Sequence, residues 1–319
     1  SKDDPIKMDA KVEKIYESLL EKENTRAIRF LFGHYLVSVY ARDKKWLNGL
    51  LNKLFDFNQG ERDLALASWE GFLTSNLYAE LFEKLNEYYL KAVDLKREEY
   101  TPREYFGDLD KSIANHLALA FVHFSGFTQE SELFKKFWSV KNIKRQTEFI
   151  SFIGSYIISR DNARDWMDKN KVDCVKKLKE FWNWILKQDL DPKIYESFGF
   201  WMDAEWKVFE PVWQAEYVRK TMEKTDGAVE WDHNLQQSLP IYAKVSPADT
   251  LEICKLHFLN YIAKRAANQN WIHIDDNILE VFKILYENPE TKQGTSDLID
   301  ALLPCGNGVF WKLKEVIEN

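Results

Sequence analysis

Three groupings of residues have types that could do chemistry. His116 and His123 lie seven apart and share a helix face, with Asp110 shortly before them. A metal pair on one helix uses a spacing of three or four, because seven residues separate the rings by ~10 Å along the axis. The two histidines therefore read as polar packing residues of a helical array. Ile272-His273-Ile274-Asp275-Asp276 sets a histidine beside two acids, but no partner converges on it from elsewhere. Asp275 and Asp276 read better as the N-cap of a helix Ile278 to Glu287, where carboxylates answer free N–H groups and the helix dipole. Cys254 and His257 stand three apart among Leu251, Ile253, Leu256 and Phe258, which places both in a buried core.

Two further stretches suit binding. Lys135-Lys136-Phe137-Trp138-Ser139-Val140-Lys141-Asn142-Ile143-Lys144-Arg145 carries five positive charges, no acid and two aromatics. A phosphate backbone with stacked bases favours that composition, and so does an ordinary solvated helix face. Lys135, Lys136 and Arg145 are its candidate contacts. The second stretch is the tryptophan-dense middle, with seven of the twelve tryptophans between Trp166 and Trp231. Trp182 and Trp184 cannot face one core from a single helix, since two residues are about 200° apart. Trp201 and Trp206 are five apart, and Phe209 and Trp213 extend the stripe. The run 198–209 is expected to form a packed joint, with Trp201, Trp206 and Trp213 as the rings that reach a partner-facing surface.

Familiar catalytic frames are missing. Neither GxxxxGK[ST] nor GxGxxG occurs, so no phosphate loop is present, and there is no GxSxG elbow. An all-helical chain invites comparison with terpenoid cyclases, but no DDxxD motif occurs to hold magnesium. We expect no catalytic residue, no cofactor and no metal site. The enzyme alternative is a HEAT-like DNA-repair glycosylase, whose set of tryptophans and a carboxylate Trp201, Asp203, Glu205 and Trp206 could imitate. The net charge of -7 argues against nucleic acid as the main partner.

The elements that must position these residues are helical. Glycine and proline are scarce, at 12 and 8 in 319 residues, which disfavours the many turns of an all-β protein. Apolar residues recur at spacings of three and four almost throughout. Arg26 to Arg42 is apolar nearly all round and is expected to be buried, while Ile143 to Ile158 and Pro192 to Glu210 are expected as helices. Asp191-Pro192 and Ser246-Pro247 each put a capping oxygen before a proline at the first helical position.

Counting gives about eight antiparallel pairs of ~40 residues, the period of HEAT-like arrays. The expected fold is all-α, an irregular HEAT-like α-solenoid. It has an N-terminal half 1–160 and a tryptophan-rich C-terminal half 161–319, joined at the polar stretch Ser159 to Lys171 or running on as one solenoid. Three widely spaced cysteines without a CxxC pair suit a reducing compartment, hence the cytoplasm. No apolar run approaches the ~18 residues of a membrane span. The start, Ser-Lys-Asp-Asp, lacks a methionine and reads as a piece of something longer.

The segments Leu64-Ala65-Leu66-Ala67-Ser68-Trp69-Glu70-Gly71-Phe72-Leu73, Asn115 to Phe124, Phe198-Gly199-Phe200-Trp201 and Val245-Ser246-Pro247-Ala248-Asp249 carry a resemblance. They resemble the C-terminal helical regions of large bacterial proteins that begin with a SIR2-like or P-loop NTPase module, many linked to anti-phage defence. The resemblance implies a HEAT-like sensor or assembly domain whose partner is another protein or another domain of the same chain. It carries over no catalytic residue.

Overall fold

The computed structural model describes residues 7–57, 62–95, 108–169, 173–262, 277–305 and 308–318. Helix makes up 76% of the structure and no strand occurs among the described residues, so the fold is all-α. The chain divides into two compact units, residues 1–145 and 146–319, so the division falls ahead of the polar stretch expected to form it.

The first unit contains α1 (Ala10–Lys22), α2 (Arg26–His34), α3 (Leu36–Arg42), α4 (Lys44–Leu54), α5 (Arg62–Phe72), α6 (Ala79–Lys84), α7 (Asn86–Asp94), α8 (Leu109–His123) and α9 (Glu132–Ser139). Aspartates start several of them. Asp9, Asp43 and Asp108 accept from the N–H groups of Lys11, Trp46 and Asp110, which satisfies donors a helix start leaves open. The apolar stretch expected as one buried helix breaks at Tyr35 into α2 and α3, and Leu31 and Tyr35 face solvent.

Two glycines set the closest packing of this unit. A Cβ placed on Gly33 of α2 would lie 1.7 Å from the Ser68 carbonyl oxygen of α5, and one on Gly71 of α5 would lie 2.0 Å from the Phe30 carbonyl oxygen of α2. The two backbones touch there, and only glycine leaves the room. Behind the crossing, Phe55, Phe72 and Tyr89 surround Trp69 at centroid distances of 5.3, 5.3 and 4.8 Å.

Buried arginines close helix ends. Arg29 donates to the carbonyl oxygens of Leu20 (2.8 Å) and Lys53 (3.2 Å), in the last turns of α1 and α4. These carbonyls have no partner within their own helices, and the dipole there favours a cation.

The α10 helix (Ile143–Phe152) begins just before the division and continues as a π-helical turn, Ile153–Ile158. The wide turn ends where the Ser159 N–H returns to the Gly154 oxygen at 2.8 Å. The second unit then holds α11 (Ala163–Lys169), α12 (Cys174–Leu186), α13 (Pro192–Glu196), α14 (Pro211–Glu223), α15 (Asp232–Val245), α16 (Pro247–Cys254), α17 (Ile278–Glu287), α18 (Lys292–Leu302) and α19 (Gly308–Glu318).

Pro192 to Glu210 is not one helix. It is α13, a 3-10 turn Gly199–Met202, and irregular chain as far as Glu210. Close approach explains the break: a Cβ on Gly199 would sit 1.6 Å from the Glu230 carbonyl oxygen. Asp191 caps α13 as expected, accepting from the Lys193 N–H. Ser246 does not cap α16, because its hydroxyl donates to Asp249 at 2.7 Å and Asp249 also pairs with Arg219. The expected cap at Asp275 and Asp276 lies outside the described residues.

Candidate interaction surface

The tryptophans of the second unit sort into two groups. Trp182 on α12 stands at the centre of the first, with Phe198 at 5.0 Å, Trp201 at 5.7 Å, Phe209 at 5.9 Å and Trp213 at 5.7 Å between centroids. Trp182 donates to the Thr221 hydroxyl at 2.8 Å, and Trp201 donates to the Ile150 carbonyl oxygen at 2.9 Å. Both rings are fully buried. A ring of this size hides about 150–250 Å², on the order of 4–6 kcal/mol of transfer free energy. Trp201 is therefore a core residue and not the contact ring its place in the sequence suggests. Its indole N–H has a main-chain acceptor, which removes any need to face water.

The irregular chain beyond Trp201 is held from inside. Gln214 donates to the carbonyl oxygens of Trp201 (2.8 Å) and Asp203 (3.2 Å), and Tyr242 donates to the Met202 oxygen at 2.5 Å. Asp203 is buried and accepts from the Glu205 N–H at 2.9 Å, while burial pushes its carboxyl above the usual range. Trp206 is half-buried and bonds to Asp203. That makes Asp203 the anchor of a turn. Trp213 is half-buried too, stacked on Tyr217 at 4.0 Å under the Lys179 ammonium at 4.7 Å. Lys179 also pairs with Glu210.

The basic run does not form a free cationic face. Lys135 pairs with Glu130, Lys136 with Asp94 and Lys144 with Asp108. Arg145 is 1% exposed, and its Nε donates to Asp110 at 2.6 Å. It is a structural cation and not a phosphate contact, because its guanidinium is spent on a carboxylate and on main-chain carbonyls.

His116, His257 and Cys254 are packing residues, while His123, expected to pack like His116, is not. His116 is buried, with the Tyr89 hydroxyl 2.9 Å from its Nδ1, and His123 is exposed at the end of α8. Burial holds the His116 imidazole down at about 4. His257 and Cys254 are fully buried, and burial pushes the Cys254 thiol well up. No group of three or more His, Cys, Asp or Glu residues placed to hold a metal occurs among the described residues. No described helix is long and apolar enough to cross a membrane.

The second group of rings reaches solvent, and Trp231 stands out in it. It is 62% exposed and has a left-handed backbone, φ 58° and ψ 47°, immediately before α15. A bulky residue there is a true outlier, and such strain costs about 1–3 kcal/mol. The neighbours over-determine it. The Glu230 N–H donates to the Glu196 oxygen at 3.0 Å, the Glu230 oxygen rests against Gly199, and Val229 is buried. The chain enters α15 through this left-handed step, and the exposed indole lies against Phe200 at 5.2 Å. Glu230 precedes it in the chain, and Glu196 meets Glu230 through the main chain. Burial raises both carboxyls, and Glu196 and Glu148 raise Glu230 further.

Family models, curated proteins and solved structures give no match to this chain. Trp231 was legible in the sequence only as one tryptophan among seven. The signal beside it is the local order Glu230-Trp231-Asp232, a large ring between two acids at a helix start, where burial is the less natural state.

A cavity of about 660 Å³ in the first unit is lined by Lys7, Glu13, Ala41, Arg42, Asp43, Lys44, Lys45 and Trp46. Its cations suggest an anion, but the helix start it contains is already occupied. Asp43 accepts from the N–H groups of Trp46 and Met8, and Lys44 pairs with Glu80.

Proposed function

We propose that the chain is a non-catalytic helical interaction or sensing module whose contact surface lies on the second unit, centred on Trp231. The single observation that carries this reading is the outward-facing indole of Trp231, 62% exposed on a left-handed backbone. Exposure of one tryptophan would be ordinary; a bulky exposed ring on a left-handed backbone adds a conformational cost to it. The half-buried Trp206 and Trp213 are secondary candidates for the same surface.

The finer architecture belongs to the same proposal: an irregular HEAT-like stacking of about eight helix pairs. In support, several helices of the second unit pack on neighbours along the chain, as α15 does on α14 and α16. The sequence resemblance adds a setting, a sensor or assembly part of a larger cytoplasmic bacterial protein of the anti-phage defence type, which meets another protein or another domain.

A photo-crosslinking amino acid at position 231 tests the reading, with position 311 as the control. Trp311 is exposed to a similar degree, at 56%, but lies within α19. Discrete adducts at 231 and none at 311 are expected; indiscriminate labelling of both removes the surface. NADase and NTPase assays should show no turnover, and turnover would overturn the non-catalytic part.

A further inference from the structure

We propose that the cavity of about 660 Å³ in the first unit binds a small phosphate monoester with a flat ring, holding the phosphate with Arg42, Lys45 and Lys7 and the ring with Trp46. This goes beyond the interaction-module reading, uses no residue of the Trp231 surface, and stands or falls apart from it.

Charge and size choose the ligand. Four cations and two carboxylates line the cavity, a net charge of +2 in a chain whose total is -7. A phosphate monoester carries about -1.5 to -2 at pH 7 and three acceptor oxygens. Lys44 is held by Glu80, and the Asp43 carboxylate by the N–H groups of Trp46 and Met8. The α4 start therefore offers a ligand nothing, and the side chains must carry the site. Arg42, Lys45 and Lys7 make no ion pair among the described residues. The Met8 N–H bond to Asp43, at 3.2 Å, holds the chain next to Lys7 at the start of α4, so the three cations line one space before a ligand arrives. Arginine presents a fork that matches phosphate, and the lysines add point charges.

A bare oxyanion would leave most of the space unfilled, because cavities of about 300–1,000 Å³ take ligands of drug size. Trp46 supplies a wall for the larger body. Its Nε1 donates to Glu17 at 3.0 Å and its ring meets Tyr16 edge-on at 5.5 Å, which fixes the indole in place. A flat ring stacks favourably on such a surface. Glu17 and Glu80 hold neighbouring side chains and confine the positive field, which suits one small anion better than a long polyanion.

Other features carry less. Trp213 and Tyr217 stack at 4.0 Å, but Lys179 and Lys220 already lie over their rings.

The test is titration calorimetry on the whole chain with phenyl phosphate, inorganic phosphate, benzyl alcohol and a short oligothymidylate as probes. Phenyl phosphate should bind about tenfold more tightly than inorganic phosphate, with an affinity that falls as salt rises, and benzyl alcohol should not bind. R42A/K45A changes two exposed side chains, so this variant keeps its fold, and it should weaken phenyl phosphate about tenfold or more. W46L, with its fold checked by circular dichroism, should bring phenyl phosphate down toward inorganic phosphate. No heat from phenyl phosphate at millimolar concentration, an affinity untouched by R42A/K45A, or equal affinities for phenyl and inorganic phosphate overturns the proposal. Tighter binding of the oligothymidylate, lost in R42A/K45A, also overturns it and assigns the cations to nucleic acid.

Discussion

Arg145 donates through Nε to the Asp110 carboxylate at 2.6 Å, and its other nitrogens reach the carbonyl oxygens of Val93 (2.6 Å) and Leu95 (2.8 Å) at the end of α7. One side chain thus ties the start of α8 to the C-terminus of α7, with both charges buried. Removing one member of such a pair leaves the other charged and unpaired, at a cost of about 3–5 kcal/mol. R145A and D110A should each destabilise the first unit by that order in urea unfolding. R145K should not rescue, since an ammonium cannot span a carboxylate and two carbonyls in the planar fork of arginine.

His116 makes the first unit sensitive to acid. Its folded value of about 4 lies below the ordinary 6.5 because burial disfavours the cation. Between these values the unfolded chain binds more protons, so the stability His116 contributes is complete above pH 6.5 and is lost as pH falls toward 4. The full span corresponds to about 3 kcal/mol at 1.4 kcal/mol per pKa unit. Urea midpoints measured across pH 7 to 4 should fall for the native chain and fall less for H116Q.

Glycine substitutions separate backbone contact from helix propensity. G33A and G71A should each lower the melting temperature markedly, because the added methyl would strike main chain at 1.7 and 2.0 Å. G49A lies on the open face of α4 with nothing within 4 Å and should stabilise by about 0.5–1 kcal/mol. Calorimetry of the three variants checks both directions at once.

Trp201 and Trp231 should behave as opposites. W201A empties a fully buried site and strands the Ile150 carbonyl, so a loss of about 3–5 kcal/mol is expected. W231G gives up a partial contact with Phe200 and relieves a left-handed backbone, and its stability should stay within about 1 kcal/mol of the native chain. Guanidinium unfolding of both distinguishes a core ring from a presented one.

The sequence by itself determined that the chain is helical, because three-and-four apolar spacing with few glycines and prolines leaves little else. It also marked Asp191-Pro192 as a helix start and Cys254 with His257 as core, since local chemistry decides caps and dense apolar neighbours decide burial. Tertiary structure alone decided which tryptophan is inside. Trp201 and Trp231 read alike along the chain, yet one meets a main-chain acceptor and the other a backbone pinned into a left-handed step. Arg145 shows the same limit: within its basic run it looks like a surface charge, and only the folding of α7 and α8 around it supplies the carboxylate and carbonyls that bury it. Burial of a ring or a charge depends on partners fifty residues away as much as on its neighbours, and those partners are brought near only by the packing of helices.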